Sequence, residues 1–94
     1  MVKGKTKSGI KFTINENIKN DARTLYLMTK MQDKSDPMEQ GKALFDLLKL
    51  VFGGEDGMVA FMDAVASKHD GLCGTDVLIE ELTEMFDSAN LKNS

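Results

Sequence analysis

His69 and Cys73, the only histidine and the only cysteine of the chain, stand four residues apart and have the chemistry to hold a metal. On one helix they would share a face, but Gly71 between them favours a break, and two ligands leave a zinc site half built. His69 is better read as a residue near a helix C-terminus, where an imidazolium complements the dipole, and Cys73 as a small hydrophobe. Residues 69–80 place Gly74 and Glu80 at the sixth and twelfth positions of a calcium loop, yet His69, Gly71 and Cys73 at the first, third and fifth offer no side-chain oxygen to a hard cation. Gly53-Gly54 lacks the Gly-Lys-Ser/Thr ending that cradles nucleotide phosphates. With no nucleophile beside a base, the chain reads as non-enzymatic, without cofactor or metal.

Whatever it binds must be met by a small scaffold. The 94 residues suffice for one domain, 1–94, with one modest core. Hydrophobic residues at 41% and charged residues at 29% describe a folding chain rather than a disordered one. A net charge of -3 repels phosphate backbones overall, which argues against a nucleic-acid partner. Lys3, Lys5, Lys7 and Lys11 form a local basic run, read as a solvated strand surface ahead of an anion-binding arm. A lone cysteine and no secretory apolar region point to the cytoplasm. The apolar stretch Leu44 to Phe52 is interrupted by Asp46 and Lys49 and falls short of the roughly 20 residues a spanning helix needs, so no membrane partner is expected.

The predicted fold is mainly α, a small N-terminal β-strand or hairpin followed by about four short packed helices. Ile10, Phe12 and Ile14 alternate with Lys11 and Thr13, a strand pattern, and the Ser8-Gly9 turn signal lets residues 2 to 7 pair back, giving a β element over 2–15. Ile18, Ala22, Leu25, Met28 and Gln32 recur at helical steps in a helix over 17–32, which ends in the polar Asp33-Lys34-Ser35. Asp36, Pro37 and Glu39 form a strong start signal for a helix over 37–53, with Asp36 as N-cap and the Glu39 carboxylate able to return to its amide. Leu44, Leu47, Leu48, Val51 and Phe52 are its stripe, and Gly53-Gly54 ends it. A helix over 56–70 carries Met58, Phe61, Met62, Val65 and His69 on one face and stops at Asp70-Gly71. The last, over 75–90, buries Leu78, Leu82, Met85, Phe86 and Ala89, and Leu91 to Ser94 should fray.

These stripes hold more apolar surface than four short helices readily bury. Phe45, Leu50 and Ile79 lie off the main faces and are the expected contacts with another protein. Met58 and Met62 join them, because flexible thioethers suit an adaptable apolar groove, although core filling is the commoner role for any single methionine.

Taken in order, these pieces resemble the small tail assembly chaperones of long-tailed bacteriophages and prophages of Gram-positive bacteria. The likeness rests on the strand Ile-Lys-Phe-Thr-Ile-Asn at 10 to 15, Asp21 opening the body of the first helix, and a leucine-rich helix ending at Phe52-Gly53-Gly54. It extends to Asp70-Gly71 feeding the helix Val77 to Phe86, and to the terminal Leu91-Lys-Asn-Ser94. Ala22 departs from the pattern, which often has an aromatic residue directly after the aspartate; here Tyr26 follows a turn later. The resemblance implies a cofactor-free host-cytoplasmic protein that coats the apolar tape-measure protein during tail assembly and is absent from the mature virion. In that family a longer form made by ribosomal frameshifting often carries a second domain that recruits tail tube protein, which makes the tube protein a further partner the resemblance allows. Homo-oligomerisation is compatible with either. Two other readings stand beside it, a small phage-type DNA-binding regulator and a generic oligomeric adaptor. The acidic residues Asp76, Glu80, Glu81, Glu84 and Asp87 on the last helix argue against the regulator.

Overall fold

The computed structural model describes residues 1–88, a two-stranded antiparallel hairpin followed by four α-helices. Strand β1 (Val2–Lys5) pairs with β2 (Lys11–Ile14) in the register Val2 to Ile14 and Lys5 to Lys11. Phe12 and Ile14 point inward, while Lys3, Lys5, Lys11 and Thr13 occupy the outer face. The connecting turn closes on Thr6, whose amide donates to Ile10 O at 3.0 Å and whose hydroxyl accepts from Ile10 N at 3.2 Å, with Gly9 at φ 90°.

The expected first helix is split. Ile18–Asn20 form a short 3-10 turn, Asp21 is extended (ψ 129°), and α1 runs Ala22–Gln32. Asp21 is the N-cap: its carboxylate accepts from Arg23 N at 2.8 Å and from Arg23 Nη2 at 2.7 Å. The Arg23 hydrogen bonds hold the Asp21 carboxyl down at about 2. The break resets the helical phase, so the predicted stripe is corrected. Ala22, Leu25 and Gln32 face solvent, whereas Thr24 is fully buried and Leu27, Met28 and Met31 pack against the core. In the turn after α1, Asp33 Oδ1 accepts from both Ser35 N and Ser35 Oγ.

Helix α2 spans Pro37–Phe52, with Asp36 Oδ1 accepting from Glu39 N at 3.2 Å. The Glu39 carboxylate reaches across to Lys30 at 3.7 Å. Asp36→Ala should lower unfolding stability by about 1 kcal/mol in urea denaturation, since it orphans a first-turn amide. Ala43, Leu44, Leu47, Leu48 and Val51 are buried and make α2 the axis of the core, against which α1 packs in antiparallel fashion. Gly53 in the left-handed region (φ 78°) closes α2, and the Gly54 amide donates to Lys49 O at 2.8 Å.

Helix α3 spans Glu55–Ser67 and ends three residues before the expected end at 70. His69 therefore lies past the helix, in a turn where Asp70 (φ 60°) and Gly71 (φ 83°) take left-handed conformations. Met58, Phe61 and Val65 form its buried face, and Phe61 stacks on Phe52 with ring centroids 4.6 Å apart. Helix α4 covers Thr75–Ser88 and buries Leu78, Leu82 and Met85. Residues 89–90 of its expected span, Ala89 of its stripe and the fray expected at 91–94 lie outside the described residues. Among the described residues, no helix is long and apolar enough to cross a membrane.

Candidate functional site

Three places on the molecule hold groups that could act on another molecule. The first is a polar cluster beneath the hairpin turn. Glu81 is 4% exposed on α4, and its Oε2 accepts from Ser8 Oγ at 2.7 Å and lies 3.5 Å from His69 Nε2. Burial pushes the Glu81 carboxyl up, but hydrogen bonds from Ser8 and Thr6 and the nearby imidazole outweigh it and hold the group below its ordinary value. One turn on, Glu84 accepts a short hydrogen bond from the Lys7 backbone amide. The Ser8 hydroxyl is thus spent on a carboxylate rather than directed at the imidazole, and the cluster is a latch that ties the turn to α4. Its signal in the sequence was hidden, because Glu80, Glu81 and Glu84 look alike in a run of acidic residues.

Cys73 stands half-buried, and burial raises its thiol above the ordinary value. Among the described residues no three His, Cys, Asp or Glu side chains come close enough together to hold a metal ion.

The second place is a groove between α1 and α2, about 570 Å³ at its wider end, lined there by Arg23, Tyr26, Leu27, Asp46, Lys49 and Leu50. It continues past Tyr26, Leu27 and Asp46 to Lys30, Lys42 and Ala43. Leu27, Ala43 and Leu50 supply an apolar floor and the long charged side chains supply the walls.

The third is a cleft of about 270 Å³ where the end of α1 and the starts of α2 and α4 meet, lined by Met31, Pro37, Gln40, Gly41, Leu44 and Ile79 together with Thr75. None of these is charged. Gly41 leaves the cleft open on one side, as nothing lies within 4 Å of where a side chain would begin. Gln40 Nε2 donates to Met31 O at 2.9 Å and fixes the end of α1 against α2. Phe45, one turn beyond Gly41 on the same face of α2, is 44% exposed, and Met38 nearby on α2 is 85% exposed.

The residues expected to contact a partner are therefore distributed. Ile79, at 40% exposure, lines the uncharged cleft, and Phe45, at 44%, lies outside its lining, one turn along α2 from Gly41. Leu50 is half-buried in the charged groove, about 140° around α2 from Phe45 because five residues separate them. Met62 is half-buried against the core. Met58 is corrected: at 7% exposure it is a core residue, since its place on the inner face of α3 turns it toward α2. Leu25, at 68% exposure, is apolar surface that the predicted phase of α1 concealed, and Tyr26, off the predicted stripe, is 61% exposed beside it. No protein family, curated sequence or solved structure matches the chain.

Proposed function

We propose that this protein is a non-enzymatic tail assembly chaperone that shields apolar helices of a phage tape-measure protein in the host cytoplasm and leaves before the virion is complete. The observation that carries the reading is the uncharged cleft between Met31, Leu44 and Ile79, with Phe45 and Met38 exposed beside it. An amphipathic helix binds such a surface by placing apolar side chains at three- and four-residue steps into it, and methionines adapt to varied shapes. The absence of charge in the lining suits a partner whose own helices are long and apolar, because no buried ion has to be matched. The resemblance in chain order to tail assembly chaperones supplies the identity of that partner, and tube-subunit recruitment would belong to a longer form. The outer face of α4, with Asp76, Glu80 and Asp87, argues against the DNA-binding alternative.

Co-expression with a tape-measure fragment that is insoluble alone tests the reading. The wild-type protein should bring the fragment into the soluble fraction. Phe45→Asp and Ile79→Asp should lose most of that effect while keeping the wild-type circular dichroism spectrum and melting temperature. Leu50→Asp, placed on the other flank of α2, should keep it. Equal recovery with and without the protein would overturn the proposal.

A further inference from the structure

The two strands of the hairpin differ in what lies beside them. Thr6 and Ile10 are bonded across the ladder, through Thr6 N and Ile10 O at 3.0 Å, and the register runs on to Lys5 opposite Lys11 and Gly4 opposite Phe12. Bonded and non-bonded pairs alternate in an antiparallel ladder, so Gly4 with Phe12 and Val2 with Ile14 are the next bonded pairs. The backbone N–H and C=O groups of Lys11 and Thr13 therefore point away from β1, and among the described residues nothing in the chain bonds to them. On the β1 side, the turn is tied to α4 by Ser8 with Glu81 and by Lys7 with Glu84. On the β2 side, a cleft of about 200 Å³ lies between residues Ile10 to Thr13 and helix α3.

We propose that the free edge of β2 takes an extended acidic segment of another polypeptide as a third, antiparallel strand, seated against α3. The backbone of Lys11 and Thr13 supplies two donors and two acceptors at the two-residue spacing that every extended chain repeats. Guest residues opposite Lys11 and Thr13 point the same way as those side chains, to the outer face of the sheet. There Lys3, Lys5 and Lys11 surround a shallow hollow, and Lys3 and Lys11 make no ion pair among the described residues. Acidic side chains suit these positions, since opposite charges on neighbouring strands attract. The guest residue between them points to the inner side, where Ala60 and Ala64 of α3 and the Phe61 ring line the cleft. The short side chains at 60 and 64 leave width there for an aliphatic residue. The guest is thus a strand of alternating acidic and aliphatic residues.

This contact goes beyond the shielding of apolar helices. The cleft beside β2 shares no lining residue with the uncharged one between Met31, Leu44 and Ile79, and different residues are tested, so either proposal stands or falls without the other. Because backbone groups carry the pairing, the guest is selected by the sign and alternation of its side chains more than by their identity.

Nuclear magnetic resonance of the full chain, titrated with the peptide acetyl-Glu-Val-Glu-Val-Glu-amide, is the test. The amide signals of Lys11 and Thr13 should shift and saturate, and their hydrogen exchange should slow, while the Phe12 amide, already bonded to Gly4, changes little. Methylating the glutamate amides, which face β2, should weaken binding by roughly tenfold or more, because two or three hydrogen bonds are lost. Methylating the valine amides, which face away, should leave binding intact. These peptides all meet the wild-type protein, so their outcome does not hang on a variant that fails to fold. Lys11→Glu, with a wild-type circular dichroism spectrum, should bind the acidic peptide less tightly and prefer one with lysine in place of glutamate. Lys11 and Thr13 amides that do not respond, or equal binding by the two methylated peptides, would overturn the proposal. So would a Lys11→Glu chain that binds the acidic peptide as well as the wild type does. Protection of the Lys11 and Thr13 amides without peptide would also overturn it, since the rest of the chain or a second copy would then fill the edge.

Discussion

Gly57→Ala should destabilise the protein by about 2–3 kcal/mol, although alanine is ordinarily the better helix former by about 1 kcal/mol. The reason is the sharpness of the α2–α3 corner. Only Gly53 and Gly54 separate the two helices, so the first turn of α3 lies directly against the last turn of α2. A Cβ at position 57 would sit 2.2 Å from the Phe52 carbonyl oxygen and 2.9 Å from Phe52 Cβ. Backbone cannot move aside as a flexible side chain can, so relief requires the corner to open, which separates Phe52 from Phe61 and loosens Met58 and Val65 in the core. For a domain of this size the loss corresponds to roughly 10–20 °C in melting temperature. Ala60→Gly, at an exposed position of the same helix, is the matched control and should cost only about 1 kcal/mol. An alanine at 57 that left the melting temperature unchanged or raised it would show that the corner is not closed in this way.

Glu81→Ala should cost a comparable amount, about 2–3 kcal/mol, because it removes a buried charged acceptor and strands the hydroxyls that point at it. The same group sets a pH dependence whose sign is fixed. Its folded-state pKa is lowered from the ordinary 4.5, so its contribution to stability is fully present above that value and drains away as pH falls below it toward the folded-state value. Acid denaturation followed by circular dichroism should therefore show a steeper loss of stability below pH 4.5 for the wild type than for Glu81→Gln, which cannot titrate. Asp21, held at about 2, and the lowered Glu16 and Asp33 add to the wild-type slope but are unchanged in the variant, so the difference between the two curves belongs to Glu81. Parallel curves would mean that Glu81 does not hold the turn as a carboxylate.

The order of elements was legible in the chain because each has a strong local signal. The alternation at Ile10, Phe12 and Ile14, the Asp36-Pro37 start and the Gly53-Gly54 stop all act within a few residues, and the structure follows them closely. The α1 stripe was misread where one residue, Asp21, leaves the helical backbone: a periodicity counted through that break put Ala22, Leu25 and Gln32 on the inner face, although Met28 does pack against the core. The latch was not legible, because Ser8 and Glu81 lie 73 residues apart and nothing near Glu81 distinguishes it from its acidic neighbours. The same holds for the candidate surfaces. Phe45 and Ile79 could be found off the main stripes, but that Ile79 shares one uncharged cleft with Gly41 and Leu44 follows only from how the start of α4 lies beside the start of α2. Met58 fell to the ordinary fate of a methionine on an inward helix face.

Among the described residues the hairpin that begins the chain has no third strand, so each of its strands has one edge that pairs with no other strand. Its outward side carries Lys3, Lys5 and Lys11, with Lys5 directly across from Lys11. Two such ribbons brought edge to edge would align these ammonium groups and repel, which discourages copies of the chain from zipping into a shared β-ladder.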